Sequence, residues 1–186
     1  MRRIHTLKIP LRWIHHKHEV RNKKEWINWT RNRIKKYLFF VKENLELKYY
    51  LFLKEEFRKF LLLLREDLEF VPLHWDYHLD NVLVDSQGNI SGLFDFDNAM
   101  KGHSLADLGQ AKYWVRFTLK DFQAFEYFLK GYGKSVGDKE RVLIRGYFLL
   151  HIIAVTRSIW LKKKKLKWII KEHKKILDEL MGMKEL

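Results

Sequence analysis

The order of apolar and polar positions divides the chain into three stretches. Across residues 23–45, Ile27, Ile34, Leu38, Val41 and Leu45 recur near the helical period, and Arg31, Arg33, Lys35, Lys36 and Lys42 fill the other side. A second stripe of Tyr50, Leu53, Phe57, Phe60, Leu61 and Leu64, with Lys54, Glu55, Arg58 and Lys59 off it, predicts another amphipathic helix. All nine glycines fall at or after Gly88 and the only prolines are Pro10 and Pro72, so residues 1–70 carry little turn punctuation and read as helical. The character changes at Pro72. Val82-Leu83-Val84 and residues 90–96 are short β-branched or aromatic runs separated by Asp85-Ser86-Gln87-Gly88-Asn89, which predicts two strands joined by a turn. Helical periodicity returns at Ser104 and continues to the end, with breaks expected near Thr118, across 131–137 and near Leu161. Residues 147–155 are apolar nearly all round and should form a buried central helix. The expectation is one domain over residues 1–186, α+β but mainly α: helical over 1–70, a loop and β-hairpin over 71–99, helical again over 100–186.

Composition narrows the function classes. Hydrophobic residues at 47% support a packed interior, and the absence of cysteine excludes a disulfide framework, a thiolate nucleophile and a Cys-based zinc site. Lys+Arg 37 against Asp+Glu 23 gives +14, a balance that permits contact with nucleic acid or anionic lipid without demonstrating either. The densest basic run, residues 162–165 with Lys167, shares a helical pattern with Leu166, Ile169, Ile170, Ile176, Leu177 and Leu180, and reads as the wet face of an amphipathic helix. Trp26 and Trp29, interspersed with Lys23, Lys24, Arg31 and Arg33, stand at helical spacing and read as core rather than base-stacking residues, so nucleic-acid binding is not favoured. The amino terminus lacks the apolar stretch of a secretory signal. The longest apolar run, residues 142–155, is interrupted by Arg145 and His151 and falls short of the roughly 18 residues of a membrane span. A cytoplasmic protein with no membrane association is expected.

Chemistry concentrates in residues 74–107. His74-Trp75-Asp76-Tyr77-His78-Leu79-Asp80-Asn81 precedes the hairpin, and Phe94-Asp95-Phe96-Asp97-Asn98-Ala99 follows it. A hairpin that brings Asn81 and Asp95 together creates an all-oxygen site, which suits Mg²⁺, a hard cation that keeps waters and shares ligands with phosphate. His15-His16-Lys17-His18 lacks carboxylates and is flanked by cations, so it reads as a solvated loop rather than a metal site. Ser104-x-x-Asp107 has the spacing of a capping box. Asp95-Phe96-Asp97, taken as strand, would send its two carboxylates to opposite faces, leaving Asp97 to solvent or a turn.

The pattern His-x-Asp-x-x-x-x-Asn, a strand pair, then Asp after apolar residues resembles the aminoglycoside phosphotransferase and choline kinase-like family, which shares the protein-kinase-like fold. Gly102-His103-Ser104-Leu105-Ala106-Asp107-Leu108 resembles that family's Gly-Asp-Pro-x-x-Asp-Leu segment, with His103 replacing the usual Asp. Arg3-Ile4-His5-Thr6-Leu7 resembles the helix that opens its carboxy-terminal lobe. Trp75 stands where the family has a small residue, and Leu79 where it commonly has Pro.

The resemblance implies a carboxy-terminal kinase-like lobe with long helices and a small hairpin carrying the catalytic loop. It assigns Asp76 as catalytic base, Asn81 and Asp95 as Mg²⁺ ligands, His74 as a brace of the loop and Asp107 as structural support of the loop backbone; His78 could contact substrate or pack against the loop. The implied reaction moves the γ-phosphoryl group of ATP, or another nucleoside triphosphate, to a hydroxyl of a small molecule. Asp80, Asp97 and the catalytic carboxylates would favour a cationic acceptor by sign alone. No strand-rich, glycine-bearing segment precedes His74, so the amino-terminal β lobe is expected to be absent and the chain truncated, poor at binding nucleotide alone. Self-association or a separately supplied lobe would then cover the surface left open. The competing class is a non-catalytic pseudo-kinase scaffold or a basic nucleic-acid-binding module.

Overall fold

In the computed structural model, residues 5–6, 20–65, 68–133, 135–162 and 166–183 are described. Helix α1 (Lys23–Asn44), the first complete helix among the described residues, starts at a reciprocal cap: the Asn22 side chain accepts from Glu25 N–H at 2.9 Å, and the Glu25 carboxylate accepts from Arg21 N–H at 2.7 Å. It buries Trp26, Ile27, Thr30, Ile34, Tyr37, Phe40 and Val41, the face that the apolar spacing marks. Helix α2 (Leu47–Leu63) buries Tyr49, Leu53, Phe57 and Phe60. A four-residue strand, β1 (Phe70–Leu73), leads into the His74 loop and a short 3₁₀ turn (Leu79–Asn81). The hairpin β2 (Val82–Val84) and β3 (Ile90–Leu93) follows, then β4 (Met100–His103). Four helices complete the chain: α3 (Ser104–Leu119), α4 (Ala124–Tyr132), α5 (Asp138–Leu161) and α6 (Lys167–Gly182).

Helix α5 is the axis of the molecule, packed by α1, α2, α3 and α6. Its Tyr147 joins three elements: the ring meets Phe60 edge-on at 4.9 Å, and the hydroxyl receives the Trp26 indole N–H at 2.9 Å and lies 3.1 Å from His103 Nδ1. The α3–α5 crossing is close because Gly109 has no side chain; a Cβ there would lie 2.4 Å from Tyr147 Cβ and 2.8 Å from the Phe148 amide nitrogen. Length and apolar content alone would let α5 cross a membrane, but 61% of its apolar window is buried inside the protein, as befits a core helix.

Two strands depart from the sequence expectation. Phe70–Leu73 straddles the boundary between the stretch read as helical and the one read as loop and hairpin, and Met100–His103 falls at the start of the second helical stretch. They pair antiparallel, Phe70 with His103 and Leu73 with Met100, in a two-stranded sheet beside the β2–β3 hairpin. Neither is long enough to show an alternation, and each is a strand only because its partner lies about thirty residues away in sequence. The second strand of the hairpin also ends early, at Leu93 rather than Phe96. Asp95 has φ 61°, a left-handed conformation that breaks the extended run, so Asp95 and Asp97 do not alternate along a strand.

Candidate active site

The loop between β1 and β2 is held open by helix α3. Asp107, fully buried in the first turn of α3, accepts from the His74 amide at 2.9 Å and the Trp75 amide at 3.0 Å. His5 Nε2 donates to the same carboxylate at 3.2 Å, while His5 Nδ1 lies 2.9 Å from the Tyr132 hydroxyl. One turn on, Gln110 takes two more loop groups, accepting from Tyr77 N–H and donating to the Trp75 carbonyl, each at 3.0 Å. These bonds satisfy the backbone of residues 74–77 from α3 rather than from a regular element of the loop itself. The capping-box spacing at Ser104 has a different use. His103 is the cap residue without a side-chain cap bond, and Ser104 Oγ donates to Glu69 at 2.9 Å, tying α3 to the start of β1.

Within the loop, His74 is fully buried; its Nε2 donates to the Phe94 carbonyl at 2.9 Å, and its ring meets Phe96 edge-on at 4.5 Å. This contact joins the loop to the segment after β3. Trp75 has φ 58°, and its ring turns to α1, edge-on to Trp26 at 5.6 Å and Trp29 at 5.8 Å. Backbone strain at both Trp75 and Asp95 marks this loop pair as a place where geometry overrides local preference. Asp76 is half-buried and accepts from the Asn98 side-chain amide at 2.9 Å. The Asn81 side-chain amide donates to the Asp76 carbonyl at 3.0 Å, which leaves the Asn81 side-chain oxygen as an acceptor. The Phe94 amide donates to the Asn81 carbonyl at 3.1 Å, so Asp95 follows directly after the residue paired with Asn81. Asp95 is exposed and its carboxylate has no protein partner among the described residues.

The remaining sequence candidates sit at the margin. His78 Nδ1 faces both the Asp80 amide and the Asp80 carboxylate at 3.1 Å, and the imidazole packs against Trp114 at 3.9 Å between ring centres. Asp97 is exposed. His15, His16, Lys17 and His18, as well as Arg3, Ile4 and Leu7 and residues 163–165 of the basic run, lie outside the described residues. Asn98 and Gln110 contact the loop directly, yet no motif reading singled them out. The clue to Gln110 is its place one turn after Asp107, which puts both on the same face of α3.

Among the described residues no three His, Asp, Glu or Cys side chains converge as a closed metal cage. The donors on offer are one amide oxygen and one free carboxylate, both hard, with the rest of a coordination sphere open. That set fits Mg²⁺, which demands near-octahedral oxygen ligation and takes most of it from water and phosphate. A groove of about 300 Å³ lined by Lys24, Ile27, Asn28, Arg31, Leu64 and Arg65 shares no residue with the loop.

The fold is mainly helical with two antiparallel strand pairs, one of which leads into a His-x-Asp loop whose backbone is held by the buried Asp107. Residues 1–143 match the phosphotransferase enzyme family, and the chain belongs to that family. Among solved structures it is similar to the apo form of a thermostable mutant of aminoglycoside phosphotransferase APH(4)-Ia, at TM-score 0.57 and 17% identity over 85% of this chain. It also matches aminoglycoside phosphotransferase APH(3'')-Id from Streptomyces rimosus, at TM-score 0.42 and 19% identity over 80% of this chain. The matches cover 54% and 57% of those two chains, so this chain spans little more than half their length. No curated protein matches it.

Proposed function

We propose that this chain supplies the acceptor- and metal-binding lobe of a nucleoside-triphosphate-dependent kinase acting on a small-molecule hydroxyl. The observation that supports this reading is a pair of bonds: the Asn81 side chain donates to the Asp76 carbonyl, and the amide of Phe94, the residue before Asp95, donates to the Asn81 carbonyl. Asp76 receives the proton of the acceptor hydroxyl as its oxygen bonds to the γ-phosphorus. The bond from that phosphorus to the bridging oxygen breaks, and a nucleoside diphosphate leaves. Asn98, bonded to Asp76, fixes the carboxylate towards the incoming hydroxyl. Asn81 and Asp95 would hold Mg²⁺, which when bound neutralises charge on the transferring phosphoryl group. His74 and Asp107 keep the loop in place and do not touch the reacting atoms. The hairpin side chains Leu83, Val84 and Ile90 are exposed and apolar, a surface on which a nucleobase, or a covering β lobe, can rest.

The test follows transfer of the γ-phosphate of labelled ATP to a panel of alcohols and sugars in the presence of Mg²⁺. Asp76→Asn and Asp95→Asn should each abolish transfer while leaving circular dichroism and thermal unfolding unchanged. Transfer that survives Asp76→Asn would contradict the role of that carboxylate. Mn²⁺ offers a readout separate from turnover: paramagnetic broadening should centre on the Asn81 and Asp95 resonances and vanish in Asp95→Asn.

A further inference from the structure

Helix α2 carries large apolar side chains that its own fold does not bury. Tyr49, Leu53, Phe57 and Phe60 form the face packed into the core. On the opposite side Leu51 is 55% exposed and Leu62 58%, with exposed Glu55 and Arg58 between them. The steps from 51 to 55, 58 and 62 are four, three and four residues, which keeps these side chains in one stripe about 17 Å long. Leu47, exposed as well, extends the stripe by one turn.

The stripe has the same chemistry in both directions. About the midpoint between Glu56 and Phe57, Leu51 mirrors Leu62, Phe52 mirrors Leu61, Leu53 mirrors Phe60, Lys54 mirrors Lys59, and Glu55 mirrors Arg58 with opposite charge. Burial follows the mirror: 51 and 62 are exposed, 52 and 61 half-buried, 53 and 60 buried. A two-fold contact requires that residue i meet residue j while j meets i. A two-fold axis through this midpoint lays a second α2 antiparallel on the first. Leu51 of each copy then meets Leu62 of the other, and Glu55 of each meets Arg58 of the other. A parallel pair would set Glu55 against Glu55 and Arg58 against Arg58, so the charges select the antiparallel one.

The ion pair is built to be shared. Within one copy Arg58 donates to the Glu55 carboxylate from Nε at 2.8 Å and from Nη2 at 2.7 Å. Its Nη1 has no acceptor among the described residues, and each carboxylate oxygen keeps a further lone pair, so a second copy's pair can join without breaking the first. Lys54 and Lys59 stand on opposite flanks of the stripe, where their stems can lie along the seam with the ammonium groups in water.

We propose that the exposed face of α2 is a homodimer interface, in which two copies pair antiparallel about residues 56 and 57. Four leucines, two from each copy, close the ends of a square of four charges. The interface shares no residue with the loop of residues 74–81 or with the β2–β3 hairpin, so it is distinct from self-association at the surface a covering lobe would meet. One helix seam of three turns buries less than the roughly 1,200–2,000 Å² of a stable interface, and the dimer is therefore reversible, with a dissociation constant on the order of 10–100 μM.

Sedimentation velocity of the full chain from about 5 to 500 μM should show a monomer–dimer equilibrium in that range. Leu51→Gln combined with Leu62→Gln should weaken it at least roughly tenfold, with thermal unfolding of the dilute protein unchanged because both positions face water. Glu55→Arg alone and Arg58→Glu alone each oppose like charges across the seam and should be monomeric throughout. Mixed in equal amounts, these two variants should form a heterodimer within about tenfold of the wild-type affinity, since opposite charges face each other again. A wild-type chain monomeric at every concentration, a dimer that survives the paired leucine substitutions, or charge variants that stay monomeric when mixed would each overturn the proposal. A dimer broken by Ile90→Lys and not by the leucine substitutions would place the contact on the hairpin and overturn it as well.

Discussion

Replacing Asp107 by alanine should loosen the loop of residues 74–81 far more than removal of a helix-capping carboxylate would. The side chain is fully buried and accepts three hydrogen bonds, from the His74 and Trp75 amides and from His5 Nε2. Alanine strands these donors. A buried donor deprived of its acceptor costs about 1–3 kcal/mol. His74 is fully buried and Trp75 half-buried, so the first amide takes the upper part of that range and the second the lower. The expected loss is about 3–4 kcal/mol, against ~1 kcal/mol for a lost cap. Urea unfolding measures it: with a slope of about 2 kcal/mol/M the midpoint should fall by ~1.5–2 M at unchanged slope. Asp107→Asn sharpens the test. Its remaining oxygen can serve one amide, but its NH₂ faces a second donor, so the variant should lie midway between wild type and alanine. An alanine variant within about 0.5 kcal/mol of wild type, the range of ordinary surface changes, would refute the bracing role. So would full rescue by asparagine, which a capping site would permit.

Gly109→Ala should destabilise by about 1–3 kcal/mol, because its Cβ would meet Tyr147 Cβ at 2.4 Å and the immobile Phe148 backbone at 2.8 Å; a thermal scan with an unshifted midpoint would count against the tight α3–α5 crossing. Stability should also fall on mild acidification. Burial lowers the His173 pKa to about 4 and the His151 pKa to about 3, both below the ordinary 6.5. The unfolded chain takes up these protons as pH falls through about 6.5, whereas the fold refuses them until about 4 and below. Stability is thus full above that upper value and declines beneath it, by ~1 kcal/mol per pH unit for each histidine. Urea midpoints at pH 7, 6 and 5 should show this slope, and His173→Gln should reduce it; a flat profile would mean that these imidazoles are not held neutral. Gln110→Leu removes the partners of Tyr77 N–H and the Trp75 carbonyl, and should lower phosphoryl transfer roughly tenfold or more with a smaller effect on stability. Unchanged turnover would show that the loop needs no support from that side chain.

The extent of each element that could be read along the chain depends on how local its cause is. Helices α1 and α2 have apolar stripes that repeat over several turns and no glycine to interrupt them, and α5 is apolar on nearly every side because other helices surround it. The β2–β3 turn is local as well: Asp85 accepts from Gln87 and Asn89 amides at 2.9 and 2.8 Å, and Gly88 takes φ 83°. Strands β1 and β4 have no such local cause. Four residues cannot declare a period, and Gly102 is fixed by the Trp26 ring, where a Cβ would come within 2.4 Å. Nor does counting residues disclose the left-handed turn at Asp95 that ends β3 and re-aims its carboxylate.

The chain's own order of residues settled which chemistry is on offer: carboxylate and amide oxygens at fixed offsets on one loop, a third oxygen donor just beyond a hairpin, and no thiol. Side-chain periodicity carried the helices for the same reason, since both depend on neighbours within a few positions. Folding in three dimensions supplied the relations between distant residues. It brought His5 and Asp107 together, turned Gln110 and Asn98 onto the loop, and set Trp75 against Trp29. Those pairings arise from packing helices around Tyr147, and a hydrogen bond between residues a hundred positions apart leaves no trace in the spacing of either.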